Sequence, residues 1–252
     1  MEPTILYEDK DILAINKPSG LVVHSDGRPA QAGKTKEESL VDWLLSKYPE
    51  IRDVGEPGRT ASGEEVLRSG IVHRLDRGTS GVMLVAKTKE AFEFLKKQFQ
   101  ERNIEKTYHA ILSGEMKDLS AGRHGDKDVI NRPIGRSSKD FRMWSAQRGA
   151  RGEMREAITE YKVLARGHGY TLVEAHPKTG RTHQIRVHFK AINYPLLGDT
   201  LYAPKKADDL GLGRLALHSC EVTFTTLSGE KKTVSAPYPE DFAAAVNTLQ
   251  RP

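Results

Sequence analysis

Residues 82–86 read Val-Met-Leu-Val-Ala, five apolar side chains without a polar break, directly after the turn-forming Gly78-Thr79-Ser80-Gly81. A run this short cannot cross a membrane, which takes about 20 helical residues. A half-buried strand would alternate, and an amphipathic helix would admit polar residues. The expected element is a strand over 81–86 covered on both faces, which commits the chain to a sheet with other layers packed on it. Just ahead of it, His73, Arg74, Asp76 and Arg77 fall within five residues. One carboxylate thus stands between two guanidiniums, which favour its anion, at the mouth of a buried strand.

The chain is long enough, at 252 residues, to bury a real core, and 37% hydrophobic against 29% charged residues makes it globular. A single cysteine, Cys220, excludes an intrachain disulfide and any multi-thiolate metal site. The start, Met-Glu-Pro-Thr-Ile-Leu-Tyr-Glu-Asp-Lys-Asp, carries no secretory or transit signature, so a soluble cytoplasmic protein is expected. A net charge of +5 suits an anionic partner without requiring one. The distribution says more: residues 131–155 interleave seven Arg or Lys with Phe141 and Trp144. Phosphates attract the charges and unpaired bases stack on the rings, although a solvated basic loop has the same composition.

Short strands are expected over 4–7 and 12–16, and a Pro-Gly turn over 17–20. Residues 28–37 and 52–69 read as loops. Ser39 caps a helix that carries Leu40, Val41, Trp43, Leu44 and Leu45 and that Pro49 closes. Thr88 caps another over 89–102, with Ala91, Phe94, Leu95 and Phe99 on its apolar face. A strand ends at Ser113-Gly114, and residues 115–155 form a basic excursion too long for an idle connection. A hairpin about Gly167 and Gly169 follows, then a short helix from Thr182 to Ile192, a second hairpin about Ser228-Gly229, and a helix after Pro239. Many strands, few helices and no strict βαβ alternation indicate an α+β fold on a mixed, mainly antiparallel central sheet with flanking helices.

Nine histidines invite a metal reading, but no ligand spacing supports it. His183 and His188, five residues apart, would lie about 140° apart on a helix. His73, His109, His176 and His218 sit alone and read as partners of buried backbone groups or as cleft lining. Phosphate-cradling and serine-hydrolase motifs are absent. A carboxylate needs no activating base, which leaves Asp76 as the candidate nucleophile, with a structural salt bridge as the plainer reading of the bare pattern.

Four segments in order, HRLDRGTSGVMLVAKT, EKTYHAILSG, PKTGRTHQIRVHF with PLLGDTLY, and RLALHS, strongly resemble the RluA-type family of RNA pseudouridine synthases. The resemblance runs from about residue 4 to 243. It implies the pseudouridine synthase fold with a catalytic RNA-binding cleft, in a single catalytic domain over 1–252 without an N-terminal S4 domain. Asp76 falls on the catalytic aspartate and Arg74 on the residue that enters the stem as the target nucleotide flips out. Tyr108 falls on the aromatic that stacks on the uracil and takes part in proton transfer. Ile185 matches the apolar residue on the other side of the base, and Arg186 the basic partner of the aspartate. His73, Arg77, Lys106 and Arg181 are expected among the substrate-binding positions. Gly78 departs from the family, which usually has Asp there. The implied partner is structured RNA, a ribosomal or transfer RNA stem-loop, met by a monomer. The reaction is an isomerisation, so no cofactor or metal is expected. Two other readings use the same residues: an inactive RNA-binding module, and an aspartate-dependent hydrolase. A glycosidase needs two carboxylates roughly 5–9 Å apart. Asp199 is the only second candidate, and its Gly-Asp turn reads as structural.

Overall fold

The computed structural model of the chain describes residues 2–24, 38–59, 65–66, 68–117, 127–147, 149–204, 208 and 210–251. In chain order the elements begin with β1 (Thr4–Glu8), β2 (Ile12–Lys17), α1 (Leu40–Lys47), a 3-10 turn (Pro49–Asp53), β3 (Gly58–Arg59), β4 (Glu65–Val66), β5 (Ser80–Ala86) and α2 (Lys89–Gln100). They continue with β6 (Glu105–Ser113), β7 (Lys127–Asn131), β8 (Ile134–Arg136), β9 (Trp144–Ser145), β10 (Arg151–Arg155), β11 (Ile158–Gly167) and β12 (Tyr170–Pro177). The last are α3 (Gln184–Ala191), β13 (Leu217–Thr225), β14 (Lys231–Ser235) and α4 (Glu240–Gln250). The fold is α+β and mainly antiparallel, as the strand-rich pattern implies. Residues 1–104 with 221–236 form one compact unit, and 105–220 with 237–252 another.

In the first unit β2 pairs antiparallel with both β1 and β5. All seven residues of β5 are buried, which is what the unbroken apolar run demands. Helix α1 opens with a reciprocal cap: the Ser39 hydroxyl accepts from the Asp42 amide, and the Asp42 carboxylate accepts from the Ser39 amide. Pro49, beyond its end, opens the 3-10 turn. Helix α2 starts at Thr88 and buries Ala91, Phe92, Leu95 and Gln98. Its buried face is thus rotated from the expected one, and the rings of Phe94 and Phe99 are only half covered. The Phe92 ring packs against Gly55, where an added Cβ would meet it, and the Gln98 amide donates to the Thr225 carbonyl and accepts from the Thr225 amide, each at 2.9 Å. The stretch 52–69, expected as loop, contains the paired ribbon β3–β4. The loop expected over 28–37 lies outside the described residues.

In the second unit the antiparallel order is β6-β12-β11-β7, with β13 beside β6. His168 and Gly169 join β11 to β12 with φ of 54° and 80°, a two-residue turn whose twist matches the strands. Helix α3 covers one sheet face, Ile185 and Phe189 packing with Ala110, Val173 and Leu217. Helix α4 covers the other, Phe242 and Leu249 packing with Ile111 and Leu172. The basic excursion is more ordered than its composition suggests. Its described part supplies β7 and a separate sheet of order β10-β8-β9. That small sheet sits on α3, with Ile134 and Ala146 against Val187 and Ala191. Helix α3 starts at Gln184 rather than Thr182 because His183 takes left-handed backbone, φ 55°.

Buried polar groups fix α3 against β11. The Gln184 side chain donates to the Ile158 carbonyl and the Thr159 hydroxyl, and accepts from the Thr179 hydroxyl and the Arg181 amide. His188, fully buried, donates from Nε2 to the Arg132 carbonyl at 3.0 Å and meets the Thr159 hydroxyl at Nδ1 at 2.9 Å. Burial pulls its pKa down to about 4. The unfolded chain therefore binds a proton at this residue, from about pH 6.5 downward, that the folded chain refuses until about pH 4. Its contribution is complete above the upper value and is lost as pH falls through the lower one. Urea midpoints are expected to drop across this window, with up to about 3 kcal/mol traceable to His188. His188→Gln should flatten that part of the profile, and an unchanged profile would contradict this assignment.

Candidate active site

The cluster ahead of β5 is a loop held at several points. Gly70, at φ 75°, donates to the Val54 carbonyl and accepts from Ala86, where an added Cβ would strike the Ala86 carbonyl. His73 accepts from the Leu84 amide at 2.9 Å and lies against the Phe99 ring, the backbone-satisfying role that its lone setting suggested. Leu75 is buried, Asp76 half-buried, and Arg74 and Arg77 are exposed. Nη1 of Arg74 lies 3.3 Å from Nε2 of His24. A turn closes on Asp76 itself, whose carbonyl accepts from the Thr79 amide at 3.0 Å.

Sequence reasoning missed what holds this turn. Lys17 is fully buried, and its ammonium donates to the carbonyls of Pro18 and Leu21 at 2.8 Å and of Arg77 at 3.3 Å. The Gly20 amide donates to the same Arg77 carbonyl at 2.8 Å, and the Ser19 hydroxyl to the Gly78 carbonyl at 2.8 Å. The Lys-Pro-Ser-Gly turn is thus a clamp on the backbone of Arg77 and Gly78, beside Asp76. The available signal was a lysine ending the buried strand β2, whose neighbours force it inside.

In the second unit Lys106 and Tyr108 lie on one face of β6, alternate residues of the strand. Tyr108 packs on the cluster containing Ile185 and Phe189. Lys106 is partly buried, and desolvation pulls its ammonium down to about 8. Among the described residues it has no hydrogen-bond or ion-pair partner. Arg181 is tied to the Glu156 carbonyl at 3.0 Å. Arg186 is buried and forks onto Asp199, Nε to Oδ2 and Nη2 to Oδ1, both 2.8 Å. Asp199 also accepts from the Leu201 and Tyr202 amides at 3.2 and 3.0 Å, so the structural reading of its turn is correct. Gly198, at φ 68°, lets that turn pass under the Arg214 carbonyl. Tyr202 completes the support. Its ring centroid is 5.0 Å from the Arg186 guanidinium, and its hydroxyl meets His183 Nδ1 and accepts from the Trp144 amide, both at 2.9 Å.

A family model for RNA pseudouridylate synthases matches residues 11–191, which include Asp76, Tyr108 and Arg186. The chain belongs to that family. It is an RNA-modifying isomerase, as its relatives also indicate. It is 37% identical over its full length to an uncharacterized RNA pseudouridine synthase of Bacillus subtilis, covering 74% of that protein. Over 98% of its length it is 38% identical to ribosomal large subunit pseudouridine synthase D of Vibrio parahaemolyticus, covering 70% of it. Human RNA pseudouridylate synthase domain containing 1 aligns over 94% of this chain and 84% of its own, with TM-score 0.68 and 26% identity. The RluA-type resemblance read from the motifs is therefore correct. Among the described residues no helix is long and apolar enough to cross a membrane.

Replacing Lys17 by Met keeps the stem and strands the carbonyls of Pro18, Leu21 and Arg77 without their cation. The expected loss is about 2–4 kcal/mol of stability in urea titration. Pseudouridine formation by the fraction that remains folded should fall further. A fully stable, fully active Lys17→Met would show that the clamp is dispensable.

Proposed function

We propose that this synthase converts a uridine in structured RNA, ribosomal or transfer, to pseudouridine with Asp76 as nucleophile, and that it works as a cytoplasmic monomer. The supporting observation is the setting of Asp76: a half-exposed carboxylate on a turn clamped at the next two backbone carbonyls, flanked by exposed Arg74 and Arg77. In this reading the Asp76 carboxylate displaces uracil from ribose C1′. The N1–C1′ bond breaks as the ester forms, the base turns, and C5 bonds to C1′ while the carboxylate leaves. The proton on C5 is lost and N1 gains one, so atoms and electrons balance without a co-reactant.

A uridine inside folded RNA hides its glycosidic carbon, and extruding it costs a few kcal/mol. Arg74 is assigned to the vacated space, since a guanidinium bonds bases and phosphates in a planar fork. Tyr108 and Ile185 hold the two faces of the base, and Tyr108 takes part in proton transfer. Arg186 is assigned the role of the family's basic residue. Lys106, a partly desolvated cation without a partner among the described residues, together with Arg77 and Arg181, meets the phosphates. The name of the Vibrio relative makes large-subunit ribosomal RNA the first substrate to try.

The test is Asp76→Asn on unmodified transcripts of large-subunit ribosomal RNA and of transfer RNA. The amide is nearly isosteric, so folding should persist and RNA affinity should equal or slightly exceed that of the wild type once an anion facing phosphate is removed. No pseudouridine should be detected by mass spectrometry of the digested RNA. Product at anything near the wild-type rate would sink the nucleophile assignment.

A further inference from the structure

The small sheet β10-β8-β9 contains a row that is unfavourable by itself. Arg151 pairs directly with Arg136, and Arg136 with Trp144, so two guanidiniums and an indole line up across three strands. Like charges directly opposite one another destabilise a strand pair. Nearby carboxylates do not relieve them. Asp140 is engaged bidentately by Arg142 at 2.7–3.2 Å, and Glu153 by Arg155 at 3.2 Å. Among the described residues Arg136 and Arg151 have no carboxylate partner, and neither does Lys139. Arg136 is nevertheless held in place. Its guanidinium carbon lies 4.2 Å from the Trp144 ring centroid, and Nη1 donates to the Phe141 carbonyl at 3.1 Å.

Phe141 itself is 82% exposed, while the other exposed large apolar side chains range from 37% to 50%. The loop that carries it is closed by its own bonds, the Ser137 amide to the Met143 carbonyl and the Met143 amide to the Asp140 carbonyl, each 3.0 Å. Close approach of the strands is built in. A Cβ on Gly135 would stand 2.5 Å from the Met154 sulfur and 3.2 Å from the Arg151 carbonyl. Paired strands lie about 4.8 Å apart, so one phosphate can reach both guanidiniums of the row.

We infer that this sheet is a binding site for an unpaired stretch of the RNA substrate, one phosphate held between Arg136 and Arg151 and an adjoining base stacked on Phe141. The inference rests on the synthase reading and adds a place where single-stranded RNA is held. Uncompensated cations beside an exposed ring match a chain of phosphates and bases; an acidic protein surface would supply charge but no stacking partner. Arg142, part of the same basic segment, contributes little because Asp140 already neutralises it, and Arg148 lies outside the described residues.

The test uses fluorescence anisotropy with two labelled RNAs of equal length, a hairpin with a single-stranded loop and a blunt duplex. Arg151→Ala, at an exposed side chain, should lower the slope of log affinity against log salt by about 0.7–0.9 for the hairpin. Phe141→Ala should weaken the hairpin about tenfold and leave its salt slope and the duplex unchanged. Arg142→Ala should leave the slope where it was. An unchanged slope in Arg151→Ala, or equal losses on hairpin and duplex in Phe141→Ala, overturns the site. So does displacement of the hairpin by polyglutamate as effective as by unlabelled hairpin, which would mark an acidic-protein surface. If the wild type modifies transcripts while these variants bind normally, only this site falls. If the wild type neither binds the hairpin nor modifies any transcript, the synthase reading falls with it.

Discussion

The contact on which the loop around Asp76 depends is the ammonium of Lys17, taken out of water and returned to three backbone carbonyls. A buried lysine is costly unless its donors are met, and here carbonyls of chain that must curve meet them. Two of the carbonyls belong to its own turn and the third to Arg77, sixty residues away in sequence. The turn around Asp76 is thereby braced from behind, on the backbone of the two residues that follow it. Apolar packing could not do this, since it leaves main-chain oxygens unpaired.

The second unit solves a similar problem with neutral groups. Helix α3 has seven of its eight residues buried, so it cannot be steered by an amphipathic face alone. Gln184 and His188 register it against β11 through groups that accept only one arrangement of donors and acceptors. Asp199 then fixes the one buried cation on the helix, Arg186, with two of its bonds, and spends its remaining capacity on the amides of its own turn. A lost member of such a set leaves the others unsatisfied, so its pieces are expected to act together rather than additively.

The elements were largely legible because their signals are local. The apolar run of β5, the caps at Ser39 and Thr88, and the glycine turn after β11 all declare themselves within a few residues. Legibility failed where a distant partner decides. Phe92 faces inward against Gly55, far along the chain, and nothing near Phe92 says so. Lys17 was read only as the start of a Pro-Gly turn, because its acceptors include a carbonyl far along the chain. The excursion 115–155 was read by charge, and charge does not report that β7 pairs with β11 or that β8, β9 and β10 find each other. The proposal for Asp76 rests on several motifs taken together; the contact of Arg186 with Asp199 was not legible, since a Gly-Asp turn has no visible claim on an arginine in a helix.

The self-closed loop at Phe141 has a consequence for encounter. Flexible tips must surrender rotational freedom when they meet a partner, and that loss of entropy subtracts from whatever contact is made. Here Ser137, Asp140 and Met143 have already frozen the tip, and Arg142 is folded back onto Asp140. An approaching molecule finds a ring whose backbone is set before contact. Little free energy is then diverted into ordering the loop, and association there is governed by diffusion and charge rather than by waiting for a rare conformation.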